Sequence, residues 1–249
     1  MNILIQGAGR GLGLALATRL LERDAVRLVA TVRDPSAAPR LQALAEAHGD
    51  TRLRIVALDV TSETSVADAR ARIGHTVERL DGMLVLAGLL HDERTGLWPE
   101  KRLADIDPAH IATSFAVNAT GPLLMIKHFH DLLAHGERAV IASLSARVGS
   151  IGDNHIGGWY AYRAAKAAQN QFTRTAAIEL RRRSRALICV GLHPGTVDTG
   201  LSEPFQRRVP AGRLQSPDTA ARHLLAVIDR LTPEDSGHVF DWAGERIEP

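Results

Sequence analysis

Short apolar runs alternate along this chain with longer stretches in which apolar residues recur at helical spacing. The runs at 2–6, 27–32, 52–58, 82–86, 139–143, 186–191 and, more weakly, 238–241 predict strands. The stretches at 12–23, 38–48, 63–75, 108–134, 158–182 and 216–230 predict helices. Start signals support them: Thr61-Ser62-Glu63 offers capping hydroxyls, and Asp107-Pro108 sets a cap before a first-turn proline. Strands alternating with helices imply parallel pairing through right-handed crossovers. The expected fold is therefore α/β, a single doubly wound Rossmann-type domain over residues 1–249. Its sheet would have seven parallel strands, with helices on both faces. Two stretches, 89–107 and 194–215, carry no periodicity. Each follows a strand, and in an open α/β sheet ligands bind beyond the carboxyl ends of strands, so both are candidate pocket walls.

Composition narrows the class. The chain has 249 residues, 45% hydrophobic, with a formal net charge of +2, which gives no reason to expect a nucleic-acid partner. Cys189 is the one cysteine, so no intrachain disulfide forms. The apolar runs fall short of a membrane span, and the N-terminus enters a strand-like run directly. A cytoplasmic protein with neither signal peptide nor membrane association is the expectation. The eleven histidines show no zinc-ligand spacing, so no metal site is expected.

The first strand runs into Gly7-x-x-x-Gly11-x-Gly13 and then a helix. Glycines let the backbone approach a pyrophosphate, and a helix N-terminus offers it free N–H groups. The strict G-x-G-x-x-G spacing is absent, because the first gap is longer. At the end of the second strand, Arg33 stands twenty positions beyond Gly13. An arginine there accommodates a 2′-phosphate, and Arg10 inside the turn adds a second cation, so NADP(H) is favoured over NAD(H). Asp34 argues the other way, since a carboxylate there would take a ribose hydroxyl. Asp59, ending the third strand, either receives an adenine amino group or caps the following helix.

Tyr162-Arg-Ala-Ala-Lys166 puts a lysine one helical turn from a phenol, on the same face. With two tyrosines and three lysines in the chain, the pairing is unlikely to arise by accident. A nearby positive charge favours the phenolate. A tunable phenol beside a dinucleotide site suggests hydride transfer to or from a carbonyl. Tyr160 has Ala164 at the same offset and lacks the ammonium.

Taken in order, Gly7-x-x-x-Gly11-x-Gly13, Asn118, a serine after the fifth strand, Tyr162-x-x-x-Lys166 and Pro194-Gly195 resemble the short-chain dehydrogenase/reductase family. Val117-Asn-Ala-Thr-Gly-Pro122, Trp159-Tyr-Ala-Tyr-Arg163 and Pro194-Gly-Thr-Val-Asp-Thr199 are closer to its branch containing the C-factor signalling protein and the sniffer carbonyl reductase. The resemblance implies an oxidoreductase that interconverts a carbonyl and an alcohol. Tyr162 would be acid and base, with Lys166 lowering its pKa and holding ribose hydroxyls. A serine would bind the substrate oxygen, Ser145 ahead of Ser143, with a bulge at Ala146 absorbing an extra residue. Asn118 would anchor a water leading from Lys166 to solvent. Pro194 and Gly195 would turn the chain towards the cofactor. Thr196 and Thr199 would touch its carboxamide or phosphates, or only cap the turn. It also implies a homodimer or homotetramer. The branch keeps open a signalling or regulatory protein that binds cofactor with little turnover. Three departures stand out: Gln6 where threonine usually precedes the glycines, Leu86-Ala-Gly88 in place of asparagine-alanine-glycine, and the displaced serine.

Overall fold

The computed structural model describes residues 1–249, the Arg208 side chain excepted. Seven parallel strands form one sheet in the order β3-β2-β1-β4-β5-β6-β9. They are β1 (Asn2–Gln6), β2 (Arg27–Val32), β3 (Leu53–Ala57), β4 (Gly82–Val85), β5 (Ala139–Leu144), β6 (Leu187–His193) and β9 (Val239–Asp241). Two further strands, β7 (Thr196–Val197) and β8 (Leu214–Gln215), pair with each other apart from the main sheet. The helices are α1 (Gly11–Leu21), α2 (Pro39–His48), α3 (Glu63–Gly74), α4 (Pro108–Phe115), α5 (Gly121–Leu133), α6 (Tyr160–Leu180) and α7 (Pro217–Arg230).

Both faces of the sheet are covered, as the near-continuous apolar strands require. Alternation along β1 sends Ile3 and Ile5 into a core shared with α1 and α7, and Leu4 into a second core shared with α3, α5 and α6. Caps start the helices where the sequence placed them: Ser62 Oγ accepts from Ser65 N, Asp107 from Ala109 N and Ser216 from Thr219 N. β1 pairs with β2 on one side and β4 on the other, so winding reverses there and a crevice opens beyond its carboxyl end.

The expected helix over 108–134 carries a π turn, Ala116–Thr120, which contains Asn118. This 26-residue helix, Pro108–Leu133, contains an 18-residue window of mean hydropathy 1.2 and is apolar and long enough to cross a membrane by length and composition alone. That corrects the expectation that every apolar run falls short. Its buried residues, among them Met125, Ile126, Phe129 and Leu133, belong to the second core of this chain. α6 begins at Tyr160, two residues later than expected, because Gly157, Gly158 and Trp159 all have φ between +54° and +71°. No bulge forms at Ala146. Its backbone is extended, and the extra residue is taken up by the single 3-10 turn Arg147–Gly149 that follows.

Candidate active site

The glycine turn makes a cradle only a glycine chain can form. Gly7 has φ +87°, and its N–H, like that of Ala8, donates to Thr31 O at the end of β2. A Cβ on Gly13 would overlap the Gly7 carbonyl, so α1 packs against the turn with no room for a side chain. The residue before α1, Arg10, gives no side-chain cap, and the first turn of α1 holds no acidic residue. The helix thus opens with unpaired N–H groups and the positive end of its dipole, which suits a pyrophosphate. Thr199 lies against the turn, its Cγ2 3.1 Å from where a Gly11 Cβ would stand.

Val32 also packs on this turn, 3.0 Å from a Gly9 Cβ position, which brings the exposed Arg33 to the same edge as the exposed Arg10. Neither guanidinium has a hydrogen bond or ion pair among the described residues. Asp34 is committed elsewhere, since its Oδ1 accepts from Ser36 N at 2.9 Å and Ser36 Oγ at 2.6 Å, capping the turn Pro35–Ala37. Asp59 does not cap α3, whose N-cap is Ser62; its Oδ1 accepts from Thr61 N at 2.9 Å and Thr61 Oγ1 at 2.7 Å in the turn before that helix.

Tyr162 and Lys166 lie on the buried face of α6, with the Lys166 ammonium 5.7 Å from the centre of the Tyr162 ring. Tyr160, by contrast, is exposed. The expected electrostatics need correction. Burial pushes the Tyr162 phenol above its ordinary range and lowers Lys166 to about 7. The ammonium does not offset this burial, because it points away from the phenol. It donates to Leu144 O at 2.7 Å and Gln169 Oε1 at 2.9 Å, not to the phenol. Among the described residues the Tyr162 hydroxyl has no hydrogen-bond partner, which leaves it free for a substrate oxygen.

Ser145 follows β5 directly, and its Oγ lies 2.6 Å from Asn170 Oδ1 on α6. Ser143 is two residues deeper, between β4 and β6, with its hydroxyl enclosed and unpaired. Asn118 is fully buried and braces the loop after β4: its Oδ1 accepts from Leu89 N, and its Nδ2 donates to Leu89 O and Ser114 Oγ. Beyond β6, the Pro194 carbonyl accepts from Gln215 Nε2 at 3.0 Å, and Thr196 pairs with Leu214 in the small sheet.

Several residues make contacts at the site for which the sequence offered no role. Gln6 Oε1 accepts from Ala87 N at 3.0 Å, so it steadies the segment in which leucine has replaced the usual asparagine. Rings from both irregular stretches meet over α6. Trp98 stacks on His91 at 5.2 Å, and Phe205 lies 5.1 Å from Trp159, which is itself edge-on to Tyr162 at 6.2 Å. His91 Nε2 lies 2.9 Å from Gly200 O and ties the two stretches together. Glu100 is buried against the start of α6.

The lowered Lys166 has a measurable consequence. Its folded pKa of about 7 lies below the ordinary 10.5, so between them the unfolded chain binds more protons and stability rises with pH. Above about 9 the buried Cys189 thiol, itself held up to about 12, opposes this. Between pH 7 and 9, stability of the protein without cofactor should therefore climb by up to about 1.4 kcal/mol per pH unit. Denaturant titrations should show that slope flattened in Lys166→Met.

The model of the short chain dehydrogenase family matches residues 1–209. An uncharacterized oxidoreductase of Schizosaccharomyces pombe is 30% identical over 98% of this chain and 96% of its own. C-signal of Myxococcus xanthus is 38% identical over 61% of this chain and 86% of its own. Among solved structures, the NADPH-bound carbonyl reductase from chicken fatty liver superposes with a TM-score of 0.87 at 28% identity, covering 100% of this chain and 98% of that one. With its glycine cradle, its Tyr162–Lys166 pair and a family match over most of its length, the chain belongs to the short-chain dehydrogenase family of oxidoreductases.

Proposed function

We propose that this protein moves hydride between NADP(H) and a carbonyl–alcohol pair, with Tyr162 passing the accompanying proton. The observation that carries this reading is a buried phenol on α6 without a protein partner among the described residues, under a lysine ammonium, in a chain whose β1–α1 turn forms the glycine cradle. When bound, the nicotinamide cofactor supplies the hydride. The chain's part is binding, orientation and proton handling. Gly7, Gly11, Gly13 and the open end of α1 would receive the pyrophosphate, and Pro194, Gly195, Thr196 and Thr199 would close over the other end. Asp59 retains Oδ2 for an adenine amino group.

Burial keeps Tyr162 protonated near neutrality, which suits a proton donor for reduction. As the phenol gives up its proton to the nascent alkoxide, the adjacent Lys166 ammonium stabilises the phenolate left behind. Ser145 would hydrogen-bond the substrate oxygen. Asn118 would keep the Leu89 loop in place. The chain would work as one catalytic unit in the cytoplasm. It would assemble as a homodimer or homotetramer through α4, α5 and α6, on which Ile178 stands exposed. The NADPH in the chicken carbonyl reductase supports the cofactor choice.

Arg10 and Arg33 test that choice. Arg33→Ala should weaken NADPH binding about 10- to 100-fold, the worth of a charge-assisted contact to phosphate, and leave NADH within about threefold. Fluorescence titration of both cofactors measures it. NADH binding as tightly as NADPH in the unaltered protein would remove the NADP assignment. Tight cofactor binding with no Tyr162-dependent turnover on a carbonyl panel would favour the regulatory role instead.

A further inference from the structure

Glu100 is a buried carboxylate with no part in the chemistry above. It is only 4% exposed and sits in the irregular stretch after β4, yet it reaches the first turn of the catalytic helix. Its Oε2 accepts from Ala161 N at 3.1 Å, and its own carbonyl accepts from Trp159 N at 2.5 Å. Those are N–H groups at the start of α6, which no local side chain caps. Trp159, at the N-cap position, provides no capping group, and the first turn of α6 carries no acidic residue.

A second observation falls on the same spot. Trp159 has φ +54° and ψ +43°, the left-handed region, and among the described residues it is the one non-glycine with positive φ. A bulky side chain holds that conformation only where its surroundings over-determine it. Here the surroundings are Glu100 on the backbone side, with the Phe205 and Tyr162 rings on the other. Gly158, just before it, leaves space for the Glu100 carbonyl, which would stand 3.3 Å from a Cβ there.

We infer that Glu100 is a positioning residue: its carboxylate caps Ala161 N at the start of α6 from another segment, beside its main-chain carbonyl on Trp159 N, and that side-chain cap fixes where the Tyr162 hydroxyl points. The inference rests on the proposed role of Tyr162 in proton transfer. The geometry needs an acceptor at the reach of a glutamate and does not need its charge. Glutamine meets that requirement, whereas aspartate, one methylene shorter, and alanine do not.

The test compares Glu100→Gln, Glu100→Asp and Glu100→Ala in the full chain. It uses two readouts: steady-state NADPH-dependent carbonyl reduction, and amide hydrogen exchange across residues 159–163. In Glu100→Ala and Glu100→Asp, kcat should fall about 10- to 100-fold, the usual cost of a reacting group displaced by about 1 Å, while the NADPH KM stays within about twofold. Exchange at Ala161, whose N–H loses its acceptor, should quicken about tenfold or more in both. Glu100→Gln should stay within about threefold of the parent in both readouts. The inference is overturned if Glu100→Asp matches the parent, or if Glu100→Gln falls as far as Glu100→Ala. Should Glu100→Ala fail to fold, the aspartate and glutamine pair decides. If the parent protein shows no Tyr162-dependent turnover, the functional reading fails by itself, and hydrogen exchange still decides whether Glu100 clamps the helix.

Discussion

Tyr162→Phe should lower kcat for carbonyl reduction by about a thousandfold and leave NADPH affinity within about threefold. The substitution removes one oxygen. The ring remains, so its edge contact with Trp159 and its place under the Lys166 ammonium are kept. Because the hydroxyl has no protein partner among the described residues, its loss strands no buried group, and stability should change by less than about 1 kcal/mol. What disappears is the hydroxyl proposed to donate the proton. Tyr160, two residues away on α6, cannot substitute, because it is exposed and points to a different face. Stopped-flow NADPH oxidation together with equilibrium NADPH titration would separate the two effects.

Gly13→Val should abolish measurable cofactor binding, a loss of at least about a hundredfold, or about 2.7 kcal/mol. A Cβ on Gly13 would meet the Gly7 carbonyl, its carbon at 2.9 Å, and the Ala8 Cα at 3.1 Å. These are backbone atoms, which cannot swing aside as a flexible side chain can. The only relief is for α1 to draw back from the turn, which takes the N–H groups at its start away from the pyrophosphate they would bind. Gly49 is the control. It also has positive φ, at +72°, but a Cβ there meets nothing within 4 Å and it lies far along the chain from the cradle, so Gly49→Val should cost stability through backbone strain and leave cofactor affinity alone. Calorimetric titration of NADPH into each variant, beside its thermal midpoint, tells the two costs apart.

How much of this was legible beforehand differs from residue to residue. β1 and β2 were read with the bounds they have, because a run such as Ile3-Leu4-Ile5 buries both faces of its strand and admits no other reading. The glycine turn and Tyr162-x-x-x-Lys166 were legible because their function lies in local spacing. The direction of the Lys166 ammonium was not, because its acceptors, Leu144 O and the amide of Gln169, become neighbours only when α6 packs on β5. Gln6 looked like a departure and proved to be a brace, visible once β1 and the segment after β4 lay side by side. The π turn around Asn118 lies inside a helix that runs unbroken from Pro108 to Leu133; periodicity gave the helix, but the wider turn depends on packing that a single-helix pattern does not carry. Glu100 sits in a stretch without period or motif, and Phe205, though part of a Pro204-Phe205 pair that resembles the branch, sits in one without period. Their neighbours come from distant parts of the chain, so nothing local announces those contacts.

The most direct test follows a labelled hydride. The protein and its Tyr162→Phe variant would each be mixed with NADPH deuterated at the transferring position and a panel of carbonyl compounds, and the alcohols analysed by mass spectrometry. The account predicts deuterium on the carbinol carbon with the parent protein and almost none with the variant, although both bind NADPH equally well. Equal deuterium transfer by both, or none by the parent while NADPH is tightly held, would contradict it.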